Sequence, residues 1–132
     1  MNFLCLIPAR SGSRGIIDKN IKKIKKLTLI EHAYLFAKKF ADFNKVIVSS
    51  DSKRYLDYLK KHNYKYNNFL RPKSLSRKNS TDLEVLTFEL KRYEKYFKKK
   101  FDYIAFFQPT SPIRKKSDIL KCIKIIKKEK PD

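Results

Sequence analysis

Four short apolar runs alternate with four stretches of helical periodicity along the chain, and this alternation restricts the fold more than any other feature of the sequence. Phe3 to Ile7 are continuously apolar and stop at Pro8, the profile of a strand buried on both faces of a parallel sheet. Ile30, Ala33, Tyr34, Ala37 and Phe40 then recur at helical spacing, with Thr28 placed to cap the first turn. Val46, Ile47 and Val48 form a β-branched run that enters the polar cluster Ser49-Ser50-Asp51-Ser52, and Tyr55, Leu56 and Leu59 mark a second helix. Asp51 can either cap that helix or touch a ligand.

Tyr64 to Leu70 reads as a third strand, ending at Arg71 and Pro72. Thr81 and Glu84 have capping-box spacing, and Leu83, Leu86, Leu90, Tyr93 and Phe97 continue one apolar stripe behind them. Tyr103 to Phe107 is the fourth strand, and Ser117 opens a last helix through Ile119, Leu120, Ile123 and Ile126. The order predicts one α/β domain over residues 1–132, with a mostly parallel sheet, flanking helices and ligand sites at the carboxyl ends of the strands.

Both glycines of the chain, Gly12 and Gly15, lie in the segment Arg10-Ser11-Gly12-Ser13-Arg14-Gly15 directly after the first strand. Glycine lets main-chain amides approach an anion closely, and Arg10, Arg14 and Lys19 add positive charge, so the loop reads as a phosphate cradle. It has neither Walker A spacing nor the dinucleotide fingerprint. The alternative is a tight glycine turn with basic neighbours.

Charge supports a polyanionic partner of some kind. Thirty-three Lys and Arg against 13 Asp and Glu give a net charge of +20. The lysines are spread over the chain, which also fits solvated faces. Cys5 and Cys122 sit in apolar runs at opposite ends, without metal or redox spacing, and read as buried thiols. The opening apolar run is too short for a signal-peptide core and no segment reaches membrane-spanning length, so a cytoplasmic protein is expected.

Ile7-Pro8-Ala9-Arg10-Ser11-Gly12-Ser13-Arg14-Gly15, followed by Asp18-Lys19-Asn20-Ile21, closely resembles the signature loop of the acylneuraminate (CMP-sialic acid synthetase-type) cytidylyltransferases. Four further segments of that family's pattern follow in order: Val48-Ser49-Ser50-Asp51-Ser52, Leu70-Arg71-Pro72, Asn79-Ser80-Thr81-Asp82 and Gln108-Pro109-Thr110-Ser111-Pro112-Ile113-Arg114. The resemblance implies a Rossmann-like nucleotide-diphospho-sugar transferase fold that transfers CMP from CTP to an acidic nine-carbon sugar and releases pyrophosphate, with Mg²⁺ on the triphosphate. By motif position, Arg10 and Lys19 would be the catalytic cations. Together with Ser13 they would hold phosphates, while Ser11, Gly12, Arg14 and Gly15 complete the loop. Asn20, Arg71 and Ser80 would contact cytidine and Gln108 would lie on the sugar side, in a segment that differs from the related Kdo enzymes.

Three departures from the family pattern stand out. Arg14 replaces the usual Lys, and Lys25-Lys26-Leu27-Thr28 replaces a turn that normally has glycine and proline. Relatives also continue past this length with a dimerisation segment and an acidic metal-binding motif, so the sequence reads as a truncated cytidylyltransferase domain with no metal ligands assigned. Membrane association is not expected, and nucleic acid is an unlikely partner. The competing reading is a non-catalytic basic α/β module for nucleotide or nucleic acid, in which tyrosines such as Tyr64 and Tyr66 would stack on bases beside lysines.

Overall fold

The computed structural model describes residues 1–65 and 69–131. Strands β1 (Phe3–Pro8), β4 (Phe43–Ser49) and β5 (Tyr103–Phe106) form a parallel sheet in the order β4-β1-β5. Helices α1 (Leu29–Ala37), α2 (Lys53–Lys61), α3 (Asp82–Phe97) and α4 (Lys116–Glu129) flank it. Strands β2 (Lys23–Ile24) and β3 (Leu27–Thr28) pair separately as a short antiparallel hairpin. The Rossmann-like α/β architecture expected from the alternation is therefore present.

The central strand is buried on both faces, as its unbroken apolar run requires. Phe3, Cys5 and Ile7 pack toward α1, α2 and α4, whereas Leu4 and Leu6 meet α3 through Val85 and Tyr93. Strand β4 divides in the same way, with Val46 and Val48 in the first cluster and Ile47 in the second. Helix α1 starts with a complete capping box, in which Thr28 accepts from the Glu31 amide and Glu31 accepts from the Thr28 amide at 2.7 Å. Thr81 and Glu84 repeat the device at α3. Ser52, not Asp51, caps α2, by accepting from the Tyr55 amide.

Several expectations need correction. The strand expected over Tyr64 to Leu70 does not form in the part that is described: Leu70 makes an isolated parallel bridge to Ser50, and residues 66–68, Tyr66 among them, lie outside the described residues. Of the stripe read on α3, Tyr93 is buried and Leu86, Leu90 and Phe97 pack against the second cluster, but Leu83 is 71% exposed, and Val85 and Glu89 join the buried face. The glutamate at the centre of that face gives no apolar signal, so periodicity alone does not reveal its burial. Cys5 is buried and its thiol pKa is pushed up by that burial, but Cys122 is exposed on α4. Helix α4 begins at Lys116, one residue before Ser117, and Lys115 at its N-cap provides no side-chain hydrogen bond.

The hairpin was not foreseen because its turn lacks the residues that usually announce one. Lys25 sits in the left-handed region at φ 59°, where a β-carbon costs about 1–2 kcal/mol relative to glycine. Lys25→Gly is therefore expected to raise stability by up to about 1 kcal/mol, after allowing for the extra freedom of glycine in the unfolded chain. A higher urea midpoint at unchanged slope would show it; an unchanged midpoint would mean that the turn is not strained.

Candidate functional site

The path of the chain creates a cleft at the carboxyl ends of the strands. From β1 the chain moves to β4 on one side, then crosses to β5 on the other, so that loops leaving β1 and β5 diverge. This is the switch point at which open α/β sheets bind ligands. A cleft of about 250 Å³ opens there, bounded by Pro8 at the end of β1 and by Gln108, Pro109 and Thr110 beyond β5. Its remaining walls come from the loop after β1, the Arg71 segment, the turn before α3 and the first turn of α3 itself.

Seven of the residues singled out from sequence meet in this cleft: Arg10, Ser13, Lys19, Asn20, Arg71, Ser80 and Gln108. Ser11, Gly12, Arg14 and Gly15 do not line it. Ser11 is tied behind the loop, its amide donating to Asp51 Oδ1 and its hydroxyl to Asp51 Oδ2, both at 2.9 Å. That fixes the role of Asp51: it anchors the β1 loop to the end of β4.

The loop is braced internally more than its glycines suggest. The Ser13 amide donates to the Ser11 carbonyl, the Ile16 amide to the Arg14 carbonyl, and the Lys19 amide to Ser13 Oγ. Asp18 closes the back of the loop by accepting from Tyr55 Oη at 2.9 Å and Arg54 Nη2 at 2.7 Å, and these bonds hold its carboxyl below the usual range. The amides of Gly12, Arg14 and Gly15 find no acceptor among the described residues. What reaches the cleft from this loop is mainly side chain, from Arg10, Ser13 and Lys19.

The two glycines are not equivalent. Gly15 has φ +80°, whereas a β-carbon at Gly12 would meet nothing within 4 Å. Gly15→Ala is expected to lose about 1 kcal/mol of stability, and Gly12→Ala to stay within about 0.5 kcal/mol of the parent. Equal losses at both positions in urea unfolding would contradict this.

Arg71 is the most unusual group in the cleft. It is 4% exposed, yet its Nε is buried without a hydrogen-bond partner. Burial lowers the pKa of its guanidinium, an effect opposed by the charges of Asp51, Glu89 and Asp82 and reinforced by Arg10. Its backbone is fixed from two sides, since the Arg71 amide donates to the Ser50 carbonyl at 2.8 Å and Arg92 Nη1 donates to the Leu70 carbonyl at 2.8 Å. A buried cation left without a partner is costly unless something anionic completes it.

The other candidates are partly engaged. Asn20 is buried and donates from Nδ2 to the Arg10 carbonyl at 3.0 Å, leaving its own side-chain oxygen for a ligand. The Ser80 hydroxyl donates to the Ser74 carbonyl and accepts from the Arg77 amide, both at 3.1 Å, so the turn already uses the hydroxyl proton for which Ser80 had been singled out. Gln108 Nε2 donates to Asp82 Oδ2 at 3.3 Å, and the Gln108 carbonyl accepts from Arg114. Sequence reasoning missed Arg77, Lys78, Asp82 and Thr110 as lining residues. Asp82 and Thr110 lay within quoted motifs without a role of their own, and the two cations were indistinguishable from the chain's many exposed basic residues.

Carboxylates are scarce in the cleft. Asp82 is the acidic residue among those lining it, Asp51 is committed to Ser11, and Asp102 accepts from the Asn2 amide at the opposite end of the sheet. No group of three or more His, Cys, Asp or Glu that could hold a metal ion occurs among the described residues. Asp82 is thus the one carboxylate that the described residues bring to this cleft, and magnesium on a nucleotide takes one or two carboxylates together with phosphate oxygens and water. Tyr64 packs edge-on against Tyr34, with ring centroids 5.3 Å apart, and so is no free platform for a base. Among the described residues no helix is long and apolar enough to cross a membrane.

Comparison with known proteins agrees with this geometry. The family model described as cytidylyltransferase matches residues 4–132. The chain is 34% identical to the post-translational flagellin modification protein B of Campylobacter coli, over 90% of this chain and 50% of that protein. It is 30% identical to an N-acylneuraminate cytidylyltransferase of Escherichia coli O18:K1:H7, over 93% of this chain and 28% of the relative. A CMP-N,N'-diacetyllegionaminic acid synthase of Campylobacter jejuni is 32% identical over 83% of this chain and 46% of its own length. The chain thus spans half or less of the length of these relatives. In fold it matches a CMP:2-keto-3-deoxy-manno-octonic acid synthetase complexed with CTP, with a TM-score of 0.77 at 20% identity over 97% of this chain and 48% of that one.

Proposed function

This chain belongs to the cytidylyltransferase family, and we propose that its cleft binds CTP for transfer of CMP to an acidic nine-carbon sugar of the N-acylneuraminate class, with release of pyrophosphate. The observation that carries the proposal is the buried, incompletely paired guanidinium of Arg71, which shares with Arg10 and Lys19 a cleft at the switch point of the sheet. In the reaction a sugar hydroxyl oxygen forms a bond to the α-phosphorus, the bond from that phosphorus to the pyrophosphate oxygen breaks, and the hydroxyl proton leaves to solvent.

Negative charge moves onto the departing pyrophosphate, and fixed cations facing that position stabilise it without rearranging. Arg10 and Lys19 supply that charge, and Ser13 holds the loop that carries them. Asn20 offers an acceptor to the base, Arg71 neutralises phosphate nearest the cytidine, and Gln108 stands on the sugar side. The N-terminus of α3, a sixteen-residue helix, also faces the cleft and favours an anion there. Asp82 is the cleft carboxylate that would hold magnesium on the triphosphate, where the ion would neutralise phosphate charge. A cytoplasmic setting and the dimerisation of relatives belong to the same reading.

Calorimetric titration with CTP, ATP and a generic single-stranded oligonucleotide over a salt series tests this. CTP is expected to bind more tightly than ATP, with a shallow salt dependence. If the oligonucleotide bound best and its affinity fell steeply with salt, counterion release from a general polyanion surface would explain the charge instead.

A further inference from the structure

The loop after β1 is gripped at both ends by the segment that joins β4 to α2. Asp51 holds its start through Ser11, and Asp18 holds its end by accepting from Tyr55 Oη at 2.9 Å and from Arg54 Nη2 at 2.7 Å. The two donors to Asp18 differ in kind. Tyr55 is 1% exposed, so its hydroxyl is a fixed point of the core, whereas the Arg54 side chain is 66% exposed and contributes as a screened surface pair. Asp18 does not line the cleft, but the residues that follow it, Lys19 and Asn20, do.

Asp18 also sets the direction of the chain. Its backbone is left-handed, with φ 53° and ψ 36°, a conformation uncommon outside glycine and kept where neighbouring contacts fix it. The Lys19–Ile21 3-10 turn begins from this reversal, with the Ile21 amide donating to the Asp18 carbonyl at 3.0 Å. Asn20 is the buried residue of that turn, and its Nδ2 bond to the Arg10 carbonyl ties the turn back to the end of β1. We propose that Asp18 is a positioning residue, whose carboxylate, latched to Tyr55 and Arg54, holds this turn in the orientation that carries Lys19 and Asn20 to the nucleotide. The inference rests on the nucleotide reading above. Asp18 belongs to neither apolar cluster, so loss of the latch leaves the core in place and frees Lys19 to leave the cleft.

The test is a double-mutant cycle on the whole chain, read by calorimetry with CTP in magnesium chloride and with inorganic tripolyphosphate as a second probe, after amide hydrogen exchange without ligand. Asp18→Gly keeps the left-handed backbone and removes the carboxylate. It is expected to speed exchange of the Lys19, Ile21 and Lys22 amides about tenfold or more while the amides of β1 and β4 stay protected. Lys19→Ala is expected to weaken CTP binding about tenfold in the parent and only about twofold beside Asp18→Gly, whereas Arg10→Ala, on the Ser11 side of the loop, should cost the same in both backgrounds. Asp18→Asn keeps an acceptor for Tyr55 and should restore most of the difference. If Asp18→Gly lost its native circular dichroism, Tyr55→Phe, which removes only the hydroxyl, would take its place, with a shift of about threefold in the Lys19 penalty. A carboxylate that only supported the fold would leave the Lys19 penalty equal in the two backgrounds, and that additivity would overturn the inference with the CTP reading intact. Unchanged exchange around Lys19 would overturn it as well. Binding of tripolyphosphate without CTP would remove the cytidine assignment, and the same cycle run with tripolyphosphate would then decide the latch. Binding of neither probe would overturn both readings.

Discussion

Replacing Glu89 with alanine is expected to lower folding stability by about 3–5 kcal/mol, the range found when one partner of a buried ion pair is removed. Glu89 is fully buried at 0% exposure in the middle of α3. Its carboxylate accepts from Ser49 Oγ at 2.5 Å, from Arg92 Nε at 2.9 Å and from Arg92 Nη2 at 2.8 Å. Alanine would leave the Arg92 guanidinium without its counter-ion and the Ser49 hydroxyl without an acceptor, in addition to a cavity. Total stability of a domain this size is typically about 5–15 kcal/mol, so the loss would bring the variant close to unfolding.

The same substitution reaches the cleft through a short chain of contacts. Arg92 also donates to the Leu70 carbonyl, and the adjacent Arg71 amide is held by the Ser50 carbonyl next to Ser49. Glu89→Gln keeps an acceptor for Ser49 but not the charge opposite Arg92, so it should fall between the parent and Glu89→Ala. Urea unfolding measures all three. A loss below about 1 kcal/mol for the alanine variant, typical of exposed ion pairs, would show that the pair carries little of the packing between α3 and β4.

How much of this could be read from residues alone follows from which signals are local. The buried central strand, the cap at Thr28, the capping box at Thr81 and the strand–helix alternation outside the Tyr64–Leu70 segment depend on short-range patterns, and they stand where they were expected. The cleft's main cations were legible because they sit in motifs with strong family resemblance. Three things were not legible, each for a different physical reason. The β2–β3 hairpin turns at a lysine in a conformation that sequence rules reserve for glycine. The burial of Glu89 at the centre of the α3 face was not read, because its partners Ser49 and Arg92 can be identified only once the sheet is assembled. The division of the β1 loop into an anchored Ser11 and a cleft-facing Arg10 depends on Asp51, forty residues away in the chain. Local propensity contains no information about that distance.

Arg71 gives the sharpest separation between folding and binding. Arg71→Met fills similar volume with an apolar chain, so it removes a desolvated cation whose Nε has no partner and which already lies near Arg10. The empty protein is expected to gain about 1 kcal/mol or more, since exchanging poorly compensated buried charge for packed hydrophobic side chain is neutral or stabilising. CTP affinity should move the other way, by about 2–5 kcal/mol, the cost of truncating one side of a buried charged contact. At the lower end that is roughly a thirtyfold weaker dissociation constant. Opposite signs in the two measurements are the point of the experiment: a group kept at the expense of stability belongs to a site, whereas a group that only supports the fold weakens stability and binding together. Thermal or urea unfolding of the free variant, paired with calorimetry of CTP, distinguishes them. A less stable Arg71→Met that still bound CTP at parental affinity would mean that this guanidinium supports the Leu70–Arg71 segment and does not face the nucleotide.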